Sequence, residues 1–170
     1  NSVAETLNLK SFLNLPARKL TADQKQLISL GRGLVREDVA AVLMDEPLTV
    51  IDPDLKFKLR RNLKEINEQY KTTLVYVTHD QNEAMTFADN IIVMSEGEVV
   101  QTGTPKELFE RPKTTFVGYF IGSPAMNLFK TEALSNDSVK INDTLIKTTT
   151  DLTKLKDKNI KLGIRSEYIK

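Results

Sequence analysis

The run Val39-Ala40-Ala41-Val42-Leu43-Met44 is unbroken in its apolar character and ends at Asp45-Glu46-Pro47. A short continuous apolar run closed by turn residues reads as a strand covered on both faces, so it is expected at the centre of a sheet. Upstream, Leu7, Leu9, Phe12, Leu13 and Leu15 recur at mixed spacing before Pro16, which suggests a short helix or two ending in a loop. Thr21-Ala22-Asp23-Gln24 matches a capping box, and the helix it opens is expected to run to about Val35. Asp52-Pro53 pairs a cap with proline at the first helical position, and Leu55, Leu59, Leu63, Ile66 and Tyr70 then mark one helical face. A second strand is expected over 73–78. Asp80 with Glu83 repeats the capping-box pattern for a helix through Phe87, and Asn90 to Met94 reads as a third buried strand.

The order strand, helix, strand, helix, strand argues for a parallel α/β sheet whose ligand site lies at the carboxyl ends of the strands. That places the chemistry at Asp45, Glu46, His79 and their neighbours. Glu96-Gly97 predicts a tight hairpin turn into a short strand at about Glu98 to Gln101, and Thr104-Pro105-Lys106-Glu107 opens another capped helix. After Gly122-Ser123-Pro124 the texture changes to short alternating segments, Ser138 to Ile141, Leu145 to Thr149 and Ile160 to Ile164, separated by Asn-Asp and Lys-Asp pairs. These predict the beginning of a small all-β module.

Composition narrows the partners. The chain of 170 residues carries 24 Lys plus Arg against 23 Asp plus Glu, a net charge of +1. Such a balance gives no long-range field to steer nucleic acid or an anionic bilayer. With no Cys and one His, thiolate and multi-histidine metal sites are excluded, and a reducing cytoplasm fits. No apolar run approaches the roughly 20 residues that span a bilayer, so contact with a membrane is expected to be indirect.

The strongest chemical signal is the strand ending in two carboxylates, Val42-Leu43-Met44-Asp45-Glu46-Pro47. Nucleotide hydrolysis needs one carboxylate to hold the Mg²⁺ that bridges phosphate oxygens and another to orient or deprotonate the attacking water. Asp45 suits the first role and Glu46 the second. Standing alone, Asp-Glu-Pro is more often a strand end than a site. A lone His79 at a strand end is likewise more often a satisfied polar residue.

Context changes that balance. Leu20 to Gln26, the Asp45-Glu46 strand, Thr49-Val50-Ile51-Asp52 and Val77-Thr78-His79-Asp80 stand in the order found in ABC-type ATPases, and the chain resembles that family. The resemblance implies a P-loop NTPase (RecA-like) parallel sheet with helices. It further implies that Asp45 and Glu46 are the Walker B pair, with Asp45 holding Mg²⁺ through water. Asp52 would lie in the loop touching a second ATPase subunit, and His79 would be the switch histidine facing the γ-phosphate. Thr21, Ala22, Asp23 and Gln24 would belong to the signature that meets ATP held by that other subunit. Gly103 to Leu108, Phe116-Val117, Phe120 to Pro124 and Met126-Asn127 resemble importer ATPases for sugars, glycerol phosphate and glycerol, and Leu162 to Glu167 resembles an early segment of their oligonucleotide-binding-like (OB-like) β domain. The expected division is 1–125, the later part of an ATPase domain, and 126–170, the start of the β domain.

Two departures from the family pattern stand out. Where the signature begins Leu-Ser-Gly-Gly-Gln, this chain has Leu20-Thr21-Ala22-Asp23-Gln24. Both glycines are replaced, and Asp23 puts a carboxylate at a helix start suited to an anion. That suggests an impaired composite site and pairing with a non-identical ATPase subunit; alternatively Asp23 only complements the helix dipole. Second, these residues contain no Gly-x-x-x-x-Gly-Lys-Ser/Thr loop. Few donors remain to cradle phosphates, so the chain is expected to be a truncated product, inactive alone, with exposed strand edges. The expected parent couples ATP hydrolysis to import of a polyol or sugar, as a peripheral subunit on the cytoplasmic face of the plasma membrane. It would dock on permease subunits, with a substrate-binding protein as an indirect partner and no nucleic acid. Two other readings stay open, a soluble ABC-type ATPase outside transport and a non-catalytic regulatory module.

Overall fold

The computed structural model describes residues 2–36, 39–133, 135–149, 151–155 and 160–169. They form two compact units, Asn1–Asp89 and Asn90–Lys170.

In the first unit, α1 (Ser2–Thr6) leads through a turn region to α2 (Ala22–Leu34), followed by β1 (Ala41–Asp45), α3 (Pro53–Tyr70), β2 (Thr73–Val77) and α4 (Gln81–Phe87). β1 and β2 pair in parallel, Ala41 opposite Thr73 through Asp45 opposite Val77, with α3 as the crossover. Helix α2 starts where its sequence says it should. The Thr21 hydroxyl accepts the Gln24 amide and the Gln24 side chain returns to the Thr21 amide, closing the box. Leu27, Leu30 and Leu34 are then carried on one face. On α3, Leu59, Leu63 and Ile66 are buried and Leu55 packs beside them; the Tyr70 side chain, expected on that face, lies outside the described residues. These helices meet Met44, Leu48 and Ile51 in a single core with Val3, Leu7 and Leu9.

The sheet corrects the expectation of a strand buried on both faces. Strand β1 begins at Ala41, not Val39, and Leu43 is 76% exposed while Met44 is 6% exposed. In β2 the alternation is regular, with Val75 and Val77 outward and Leu74 and Tyr76 packed on the core. An unbroken apolar run looks the same whether one face or two is covered, so periodicity cannot tell them apart. Among the described residues this sheet has two strands, β1 and β2.

The second unit contains β3 (Ile91–Ser95), β4 (Glu98–Gly103), α5 (Pro105–Glu110), α6 (Thr115–Phe120) and then β5 (Asn127–Ala133), β6 (Ser138–Ile141), β7 (Thr144–Lys147) and β8 (Ile160–Ile164). The hairpin expected at Glu96-Gly97 is formed, with β3 antiparallel to β4, and among the described residues β3 pairs with that strand and not with a parallel neighbour. Only one face of β3 is buried, with Ile91 and Val93 inward and Ile92 and Met94 exposed. The reason is local: Glu96 and Gly97 both have positive φ, 52° and 81°, the backbone of a two-residue hairpin turn, so the chain returns at once. Strands β5 to β8 form an antiparallel sheet in the order β7-β6-β5-β8. The expected segments recur as β6, β7 and β8, whereas α6 and β5 had no clear sequence signal. Strand β5 places Leu128 and Phe129 side by side rather than alternating them with polar residues.

Within this unit Arg165, 3% exposed, donates from Nε and Nη2 to the Phe109 carbonyl at 3.1 and 3.0 Å and from Nη1 to the Ile121 carbonyl. Its guanidinium therefore serves the C-terminal ends of α5 and α6, where carbonyls lack helical partners. A side chain at Gly122, whose φ is +111°, would meet that guanidinium at 2.6 Å.

Candidate active site

Strand β1 delivers Asp45 at its end, and the next residue bends away. Glu46 has φ +47°, a left-handed conformation that costs a non-glycine residue about 1 kcal/mol or more. The backbone around it is held on several sides. The Glu46 amide continues the parallel ladder to the Val77 carbonyl at 2.9 Å, and the Glu46 carbonyl accepts the Thr49 amide at 3.3 Å across a turn with Pro47 at its first central position. The Gln26 side-chain amide of α2 donates to the same carbonyl at 3.0 Å. Leu48 and Ile51 anchor the loop in the core, which leaves Thr49 and Val50 on its exposed side.

This turn aims the Glu46 carboxylate back across the strand ends. Oε1 accepts the His79 amide at 2.9 Å and lies 2.5 Å from His79 Nδ1; Oε2 accepts the Thr49 hydroxyl at 2.9 Å. Partial burial raises the carboxyl, but the bonds from the His79 ring, the Thr49 hydroxyl and the His79 amide outweigh it and hold it below the usual glutamate range. Glu46 is thus ionised at neutral pH and can only accept, so Nδ1 carries the shared proton. The other ring nitrogen, Nε2, is left for a ligand, on a side chain that is 77% exposed.

The predicted residues fall in three places. The structure brings Glu46 and His79 into direct contact, with Asp45 next along the chain and its carboxylate exposed. Asp52 is exposed just before α3, its carbonyl accepting the Lys56 amide at 2.8 Å. Thr21, Ala22, Asp23 and Gln24 sit together at the start of α2. Asp23 turns back to accept the Thr21 hydroxyl, and that bond lowers its carboxyl below the ordinary aspartate range. Glu83 departs from its expected role. It does not close a box at the start of α4, where the Asp80 carboxylate alone takes the Asn82 and Glu83 amides. The Asp80 amide goes instead to the Thr78 hydroxyl at 3.0 Å, and Glu83 is buried.

Sequence reasoning missed Thr49 and Gln26 as individual contributors. Thr49 was legible in principle, because Pro47 favours a turn that returns its fourth residue, Thr49, to Glu46. Gln26 was not, since only packing brings α2 beside the β1 end.

No family model matches the chain. Against curated proteins, it is 40% identical over 169 residues to the sn-glycerol-3-phosphate import ATP-binding protein UgpC of Psychromonas ingrahamii, covering 99% of this chain and 44% of that protein. It is 44% identical over 138 residues to the oligosaccharides import ATP-binding protein MsmX of Bacillus subtilis, covering 81% of this chain and 37% of MsmX. Its fold is similar to a crystal structure of MJ1267 in the ADP conformation, an ATP-binding cassette of an ABC transporter. That likeness has a TM-score of 0.56 at 22% identity, over 68% of this chain and 46% of the other. By sequence the chain is similar to import ATP-binding proteins, and by fold to an ATP-binding cassette of an ABC transporter. It spans less than half the length of the UgpC protein it matches end to end. At the start of α2, where Ala22 and Asp23 stand, the capping box of Thr21 and Gln24 is formed in full.

Proposed function

We propose that this chain supplies the hydrolytic and switch half of a transport ATPase that drives import of a sugar, glycerol-3-phosphate or glycerol. The observation that carries the reading is the Glu46–His79 contact: an ionised carboxylate, fixed by three donors, beside an exposed imidazole at the ends of two parallel strands. In this reading Glu46 polarises the attacking water, and His79 presents Nε2 to the terminal phosphate of ATP. Asp45 would hold Mg²⁺ through water. An exposed carboxylate suits this ion, which keeps several waters and leans on substrate phosphates. Bound Mg²⁺ would neutralise charge on the phosphates.

Partners follow from the same reading. Transport would belong to permease subunits that this one joins on the cytoplasmic side, as the likeness to import ATP-binding proteins suggests; among the described residues no helix is long and apolar enough to cross a membrane. A substrate-binding protein would act on those permeases, and Asp52 would face the second ATPase subunit. Asp23, a carboxylate at the α2 start, supports a non-identical partner, because a homodimer would carry the substitution in both composite sites. Residues 1–125 would serve the ATPase and 126–170 a regulatory β module.

The test uses a full-length subunit that contains these residues and a phosphate-binding loop. Glu46→Gln is expected to lower ATP turnover by about 10²- to 10⁴-fold, the range for a lost general base, while ATP binding persists. Turnover equal to the parent protein would remove the assignment. For pairing, a purified pair of unlike subunits should hydrolyse ATP faster than this subunit alone, and equal rates would count against it.

A further inference from the structure

Behind the Glu46–His79 pair lies a buried carboxylate that the hydrolytic reading leaves unused. Glu83, 2% exposed in the first turn of α4, accepts at Oε2 from the Tyr76 hydroxyl at 2.8 Å and the Thr78 hydroxyl at 3.1 Å. Its other oxygen, Oε1, has no hydrogen-bond partner among the described residues. Two cations of α3 face it instead, Lys56 Nζ at 3.2 Å and Arg60 Nη1 at 3.9 Å. A carboxylate withdrawn from water is costly unless paired, so these contacts are needed for it to remain in place. Burial, the hydrogen bond to Glu83 and the negative charge of Glu83 all push the Tyr76 hydroxyl up, which keeps it a donor.

The placement links two loops. Thr78 immediately precedes His79, and its hydroxyl also accepts the Asp80 amide at 3.0 Å, so the backbone on both sides of the histidine is tied to Glu83. Lys56 and Arg60 lie in the first two turns of α3, the helix that begins right after the loop Thr49 to Asp52. We propose that Glu83 is a positioning residue that ties α3 to the switch loop and so fixes His79 against Glu46. A shift of the Asp52 loop would then reach His79 through α3 and this buried ion pair, without passing through the ligand.

The significance of this link rests on the proposed role of His79, but its test needs no nucleotide, so either idea can fail alone. The chain has one His, and its imidazole signals are therefore unambiguous in NMR spectra. In the full chain, Glu83→Gln keeps the shape and one acceptor but removes the charge that holds Lys56. The expected result is a displaced imidazole signal and His79 amide exchange about tenfold faster, relative to the amides of β1. Leu30→Ala, a core truncation in α2, should leave that ratio within about twofold even though it destabilises the unit. Should Glu83→Gln not fold, Thr78→Val and Thr78→Ser decide the matter, since the first loses the hydroxyl link and the second restores it. Unchanged His79 signals in Glu83→Gln or Thr78→Val, or an equal change in Leu30→Ala, would overturn the proposal.

Discussion

Helices α2 and α4 begin with the same local grammar and end in different structures. At Thr21 the box closes: Gln24 returns to the Thr21 amide at 3.1 Å, and the whole arrangement stays near the surface. At Asp80 the cap forms but its expected reciprocal partner, Glu83, turns inward to Tyr76, Thr78, Lys56 and Arg60. A capping residue at the third helical position is satisfied by the nearest free donor when nothing else competes. Over a core that offers two hydroxyls and two cations, the carboxylate follows the stronger set. The first helix start is therefore a local stop signal, and the second is a structural junction next to the proposed site.

The largest test of this contrast is truncation of the inward residue. Glu83→Ala should cost about 3–5 kcal/mol, because Lys56 and Arg60 lose the charge they face, and urea unfolding of the chain would measure it. Gln24→Ala should cost well under ~1 kcal/mol, as a surface change, and a comparable loss would erase the distinction. Next come the caps themselves. Asp80→Ala and Thr21→Ala should each lose about 0.5–2 kcal/mol, typically ~1, since both remove an acceptor for first-turn amides. If the Asp80 loss proves near zero, the helix start is being held by Glu83 alone.

The smallest expected effect is titrational. The Thr21 hydroxyl lowers the Asp23 carboxyl below its ordinary value, so the contribution of that bond is present above about pH 4 and fades as pH falls through the lower folded value. Asp23→Asn should flatten this part of the acid limb, because it removes a contribution present at neutral pH; the small stability difference from the parent should appear near neutral pH and close in acid. A steeper limb in the variant would reverse the assigned direction.

Much of the site could be read from order and spacing. Asp45 and Glu46 follow an apolar strand, His79 follows the next one, and parallel pairing of those strands must bring their carboxyl ends together. What spacing could not supply was the turn at Glu46. Its positive φ and its bonds to Thr49, Gln26 and His79 depend on Leu48 and Ile51 being seated in the core. The β module was legible in β6 and β8 because turn residues bracket their apolar segments. Strand β5 was not, because its partners on either side, β6 and β8, define it more than its own sequence does.

By itself, then, the sequence determined where helices α2, α3 and α5 start, which residue types close the two parallel strands, and that no phosphate loop lies within these residues. Those features are encoded in hydrogen bonds and periodicities that reach only three or four positions along the chain. Tertiary structure alone decided that Leu43 of β1 stays exposed beside buried Met44, and that Glu83 faces inward. Each depends on which surfaces and charges arrive from distant segments, and a buried carboxylate settles only where those segments offer it cations and hydroxyls.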